Sequence, residues 1–113
     1  MRIDTVRRFA LSLPETTEEP HFETSSFRVR GKIFATVPPD GHHLHVHLDP
    51  AERAALIQGQ PAVYEPIGRG TKPSPDWVRV DLDRAHAGEV KELLQDAWLR
   101  KAPKRVAKAF IPI

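Results

Sequence analysis

At Ser25 the apolar residues stop recurring every three or four positions and begin to alternate, and that switch decides what the chain can fold into. Before it, Ile3, Val6, Phe9, Ala10 and Leu13 form one stripe along a helix. Pro14 ends that helix, because the residue before a proline is forced out of the helical region. The polar run from Glu15 to Glu23 reads as a loop. After the switch, Phe27 and Val29 face one side of a strand while Arg28 and Arg30 face the other. Gly31-Lys32 reads as a tight turn, and Lys32-Ile33-Phe34-Ala35-Thr36-Val37 as the returning strand of a hairpin. Pro38-Pro39-Asp40-Gly41 is a further turn, and His43-Leu44-His45-Val46-His47-Leu48 alternates again. Three strands on short turns make an antiparallel meander with one buried face.

The second half repeats the scheme. Asp49 is placed to cap a helix, with Pro50 at its first position and Glu52 in its first turn. Ala55, Leu56 and Ile57 give that helix an apolar side, and Gly59 is its expected stop. Short strands are expected over Ala62–Glu65 and Trp77–Leu82. Between them, residues 66–76 read as a loop longer than the common ~4–6 residues. Val90, Leu93, Leu94, Ala97 and Trp98 mark a long helix, broken by Pro103. A short basic helix over Lys104–Ala109 and the apolar run Phe110-Ile111-Pro112-Ile113 follow. The expected fold is therefore a two-layer α+β sandwich in the order α-β3-α-β2-α: a five-stranded antiparallel sheet with helices on one face. At 113 residues it forms a single domain, 1–113, and Phe27, Phe34, Trp77 and Trp98 read as core by their spacing.

Chemistry is harder to locate. The chain has no cysteine, so disulfides, thiolate nucleophiles and Cys-ligated zinc are excluded. Ser12, Ser25, Ser26 and Ser74 lack a Gly-x-Ser-x-Gly setting, and Gly68-x-Gly70 is too short to cradle a phosphate. No enzyme and no cofactor is expected. His43, His45 and His47 share a strand face at about 6–7 Å intervals, and His-x-His pairs can chelate a transition metal. The opposite face, Leu44, Val46 and Leu48, is the one a core needs, so solvent-facing polarity accounts for the histidines and no metal is expected. Glu18, Glu19, His21 and Glu23 read as a solvated acidic cluster. No run approaches the ~18 apolar residues of a membrane span. Met1-Arg2-Ile3-Asp4 turns polar too soon for a secretory signal. A cytoplasmic protein without membrane contact is the expectation.

Charge is the remaining signal. Residues 1–96 carry 12 basic and 15 acidic groups, a net −3, whereas residues 97–113 carry +5 and no acid. Arg28, Arg30 and Lys32 lie on the first hairpin, Arg69 and Lys72 in the long loop, and Lys104, Arg105 and Lys108 on the last helix. Cations of this kind bind nucleic acid by neutralising phosphates. With 7% aromatic residues, most of them expected in the core, a base-stacking platform is not expected.

The chain resembles the MmcQ/YjbR-like proteins, formerly a domain of unknown function. The resemblance rests on the run from Leu13 to Phe22, on Ser26-Phe27-Arg28-Val29-Arg30-Gly31-Lys32-Ile33-Phe34-Ala35, and on Leu48-Asp49-Pro50. Trp77-Val78 and the Leu93-Leu94 helix ending in Ala102-Pro103-Lys104-Arg105 extend it over nearly the whole chain. It implies an arrangement like that of secretion chaperones and a DNA-binding label, given for hairpins that look like a double wing. It brings no catalytic residues. The histidine-rich third strand departs from the polar or basic residues usual in relatives. The expected function is weak, largely sequence-nonspecific DNA binding through the eight cations named above. A protein-interaction or chaperone-like module, binding a protein partner, is the alternative.

Overall fold

The computed structural model describes residues 1–69 and 72–108, with backbone only at 68, 69, 72 and 73. Its elements are α1 (Ile3–Ser12), β1 (Thr16–His21), β2 (Thr24–Val29), β3 (Lys32–Val37), β4 (His43–His47), α2 (Pro50–Gly59), β5 (Tyr64–Arg69), β6 (Lys72–Asp81), α3 (Ala87–Lys101) and α4 (Lys104–Lys108). The fold is α+β, and the sheet is antiparallel throughout in the order β1-β2-β3-β4-β6-β5. It has six strands rather than the expected five.

The additional strand is β1, the segment expected to be a loop. Thr-Thr-Glu-Glu-Pro-His shows no apolar alternation because the inward position on this edge strand belongs to Glu18. Arg7 of α1 donates to one Glu18 carboxylate oxygen at 2.7 Å and the Ser25 hydroxyl donates to the other at 2.6 Å, so an ion pair stands where a sheet would ordinarily show an aliphatic contact. The expected long loop also proves to be strand, with β5 running to Arg69 and β6 starting at Lys72. Its prolines are tolerated for positional reasons. Pro66 lies on the outer strand beside a register shift, and Pro73 and Pro75 precede the residues of β6 that pair with β4. The β2–β3 turn is Arg30-Gly31, one residue earlier than expected. Both have positive φ (51° and 81°), as a two-residue hairpin turn requires.

Pairing sorts the sheet into an apolar and a polar face. Phe27, Ala35, Val46 and Val78 are successive cross-strand partners, and all are fully buried. One residue along, Glu19, Ser26, Thr36, His45, Arg79 and Glu65 form a polar row that crosses all six strands. The apolar face joins Val6 and Ala10 of α1, Leu13 just after it, and Val90, Leu93, Leu94, Ala97 and Trp98 of α3 in one core, with Leu56 and Ile57 of α2 packed against it. Fully burying each large side chain contributes about 1.5–3 kcal/mol. The Trp98 indole N–H donates to the Pro14 carbonyl at 3.0 Å, which ties the end of α3 to the start of β1. Asp49 caps α2 as expected, accepting from the backbone N–H of Ala51 and Glu52 at 3.1 and 3.2 Å.

Candidate functional site

The hairpin cations do not form an open basic surface. Arg28 lies across the polar face, where its Nε donates to Ser26 Oγ at 3.0 Å and sits 4.0 Å from Glu19. Ser26 Oγ in turn donates to the Glu19 carbonyl at 2.7 Å, so this fully buried hydroxyl is satisfied on both sides. Arg30 donates to Glu15 at 2.6 Å. Both carboxylates flank or belong to β1, the strand absent from the sequence reading. The expected basic wing is thus neutralised by an acidic edge strand hydrogen-bonded to it. Lys32 is exposed and makes no ion pair among the described residues.

The C-terminal cations fare differently. Lys104, Arg105 and Lys108 are exposed on α4, anchored by the buried Val106, and form no ion pair among the described residues. Arg100 and Lys101 end α3 just before them, where cations favour the helix dipole. Arg100 approaches Asp49 at 3.9 Å. Trp98 contacts Pro14, the neighbour of Glu15, and Glu15 holds Arg30, so the β2–β3 turn lies toward the same end of the molecule as the close of α3. The side chains of Arg69 and Lys72 lie outside the described residues. Their backbones pair with each other at the tip of the β5–β6 hairpin, the opposite edge of the sheet from β1.

The histidines divide among separate partners. His43 Nδ1 lies 2.9 Å from Asp40, which also accepts from the backbone N–H of His42 and His43 and from Arg79 at 3.2 Å. Partial burial works to raise the Asp40 pKa, but the hydrogen bonds from His42 and His43 and the His43 charge outweigh it and hold the group below its ordinary value. His45, between Thr36 and Arg79 in the polar row, has a buried Nε2 without a hydrogen-bond partner among the described residues. Burial, with the charges of Arg79 and His43 added, pushes its pKa down to about 4. His47 is not solvent-facing as expected, being only 7% exposed. It packs edge-on to Trp77, which is half-buried there rather than in the core. Its Nε2 sits 3.1 Å from Asp76, and its Nδ1 accepts from Arg100 Nε at 3.3 Å. Ser74 donates to Asp76 and not to the histidine, so this is no nucleophile–base arrangement. Among the described residues, no three His, Cys, Asp or Glu side chains are grouped to hold a metal ion.

The acidic cluster has a structural setting too. Glu18, Glu19 and Glu23 line an open groove of about 650 Å³ between α1 and the β1–β2 hairpin, with Ile3, Val37 and Pro38 among its apolar residues. Burial works to raise the Glu18 pKa, but the hydrogen bonds from Arg7 and Ser25 and the Arg7 charge outweigh it and hold it low. Beside the groove, at the β1–β2 turn, Phe22 is 92% exposed with φ +56°. Nothing in the residue pattern singled it out, because only the β1–β2 pairing makes it a hairpin tip. Among the described residues, no helix is long and apolar enough to cross a membrane.

The chain is similar to known proteins over almost its whole length. Rv2570 of Mycobacterium tuberculosis and Mb2600 of Mycobacterium bovis are each 31% identical to it, over 96% of this chain and 94% of theirs. In the solved structure of DR2400 from Deinococcus radiodurans, whose domain is named DUF419, the likeness covers 92% of this chain and 80% of that one at 27% identity, with a TM-score of 0.79. A Pseudomonas syringae protein shares the fold, with a TM-score of 0.70 at 16% identity over 89% of this chain and 99% of that one. The YjbR family model matches residues 11–100, and the chain belongs to the YjbR family.

Proposed function

We propose that this protein is a non-enzymatic, weak nucleic-acid binder that contacts the phosphate backbone through the end of α3 and through α4. The observation that carries this reading is the contrast between the two sets of cations. Lys104, Arg105 and Lys108 stand exposed without ion pairs among the described residues, whereas Arg28 and Arg30 are engaged by Glu19 and Glu15. Phosphate contacts position a protein on a duplex but carry no sequence information, so little sequence preference is expected. The contact surface is narrower than a double wing would offer.

Fluorescence anisotropy with a labelled random-sequence DNA duplex tests this at about 50 and 200 mM salt. Micromolar binding that collapses at the higher salt is expected. Lys104→Glu/Arg105→Glu should abolish it, and Arg30→Gln should change it little. Absence of binding at the lower salt would remove the proposal. Equal losses in the two variants would restore the hairpin to the interface.

A further inference from the structure

The end of the molecule carrying the β1–β2 turn has no part in the nucleic-acid reading, yet it holds the most exposed large apolar side chain among the described residues. The Phe22 ring, 92% exposed, stands T-shaped to that of its neighbour His21, with ring centroids 4.8 Å apart. A phenylalanine with φ +56° occupies a conformation that glycine adopts without penalty. The fold therefore retains both an exposed aromatic ring and a strained backbone at one position, where a glycine would relieve both. Such outliers collect where a surface is used. The adjoining groove offers an apolar floor at Ile3, Val37 and Pro38. Of its charged residues, Glu18 is paired with Arg7 and Glu19 turns its carboxylate to the other sheet face beside Arg28, so Glu23 is the groove carboxylate without an ion pair among the described residues. Among the described residues β1 pairs only with β2, so its outer edge has no strand partner there.

This chain itself contains a segment of matching chemistry. Residues 104–113 hold Lys104, Arg105 and Lys108, then Phe110-Ile111-Pro112-Ile113, with no acidic residue. We propose that the β1–β2 turn and its groove receive the C-terminal segment of a second copy of this chain. Its cations would face Glu23, and its apolar residues would lie on Phe22 and the groove floor. The Trp98–Pro14 contact places the close of α3 beside the start of β1, at the far end of that strand from Phe22. A second copy therefore supplies the segment without the chain folding back along its own edge strand.

The test titrates the full chain into a fluorescein-labelled peptide of residues 104–113 and follows anisotropy without nucleic acid. Saturable, salt-weakened binding in the range of about 10–500 μM is expected. Phe22→Gly should weaken it about fivefold or more while the unfolding midpoint holds or rises, which separates lost docking from lost folding. Glu23→Gln should weaken it as well. Removing residues 109–113 should lower the weight-average mass in sedimentation of the intact protein. A peptide that fails to bind at about 1 mM, or one that binds Phe22→Gly as tightly as wild type, would overturn the proposal.

Discussion

Arg100 donates from Nε to Nδ1 of His47 at 3.3 Å, and the bond assigns the His47 tautomer. A guanidinium cannot accept a proton, so Nδ1 must be the bare nitrogen, and Nε2 carries the hydrogen that faces Asp76 at 3.1 Å. The imidazole joins β4 to the last turn of α3, next to the basic end. Arg100→Met keeps much of the aliphatic stem and removes the donor. It should cost about 0.5–1.5 kcal/mol. Amide exchange should quicken over Trp98–Lys101 and in α4 but not along β4. Unchanged exchange there would show that α3 is held by its core face alone.

Acid should undo the same contact, and the sign follows from the directions of the shifts. Burial lowers the His47 pKa, and the Lys101 and Arg100 charges add to it against Asp76. Burial pushes His45 down to about 4. Both values lie below the ~6.5 of an unfolded chain, so the unfolded state binds more protons and stability falls as pH drops below ~6.5. The carboxylates held low, Glu18, Asp40 and Asp76, add their own loss only below about pH 4.5. Urea midpoints between pH 7.5 and 4.5 therefore report mainly the histidines. His45→Gln should flatten the curve by about 1–2 kcal/mol, a figure reduced for its partial exposure. A curve of wild-type steepness would mean that His45 is solvated in both states.

Positive φ makes two substitutions move in opposite directions. Phe22→Gly should stabilise the fold by about 0.5–1 kcal/mol, the relieved strain less the extra entropy of an unfolded glycine. Gly31→Ala should destabilise by about 1 kcal/mol. A Cβ at Gly31 would meet nothing within 4 Å, so the cost there is purely conformational. Thermal or urea midpoints of both variants check this. A destabilised Phe22→Gly would mean that the ring makes a stabilising contact in the folded chain.

What the sequence disclosed was whatever lay on the core face. The stripes of α1 and α3 and the alternation of β2, β3 and β4 were plain because each residue there sits between solvent and a single apolar layer. β1 escaped because its inward residue is a glutamate satisfied by Arg7, a partner in another element that no local period reveals. Strands were expected at Ala62–Glu65 and Trp77–Leu82, but the prolines hid the continuation of β5 to Arg69 and of β6 back to Lys72, since edge positions and unpaired strand ends tolerate them. The cations were legible as charge along the chain. Their ion pairs were not, since Glu15 and Glu19 come within reach of Arg30 and Arg28 only through the missed strand. Asp40 was legible as a turn residue, but its link to Arg79 spans 39 positions.

That missed register gives the last prediction. If β1 neutralises the hairpin, releasing its carboxylates should uncover cations already in place. Glu15→Gln/Glu19→Gln frees Arg30 from its 2.6 Å bond and removes the more distant charge facing Arg28. Both pairs are partly solvated, so the stability cost should be within about 1 kcal/mol. Each phosphate newly contacted adds about 0.9 to the slope of log affinity against log salt. The double variant should therefore bind duplex DNA more tightly at low salt than wild type, with a slope steeper by up to about 2. An unchanged slope would mean that the hairpin points away from the duplex even when charged, leaving the contact to α3 and α4. A slope that steepens without Lys104 and Arg105 would instead move the interface to the β2–β3 turn.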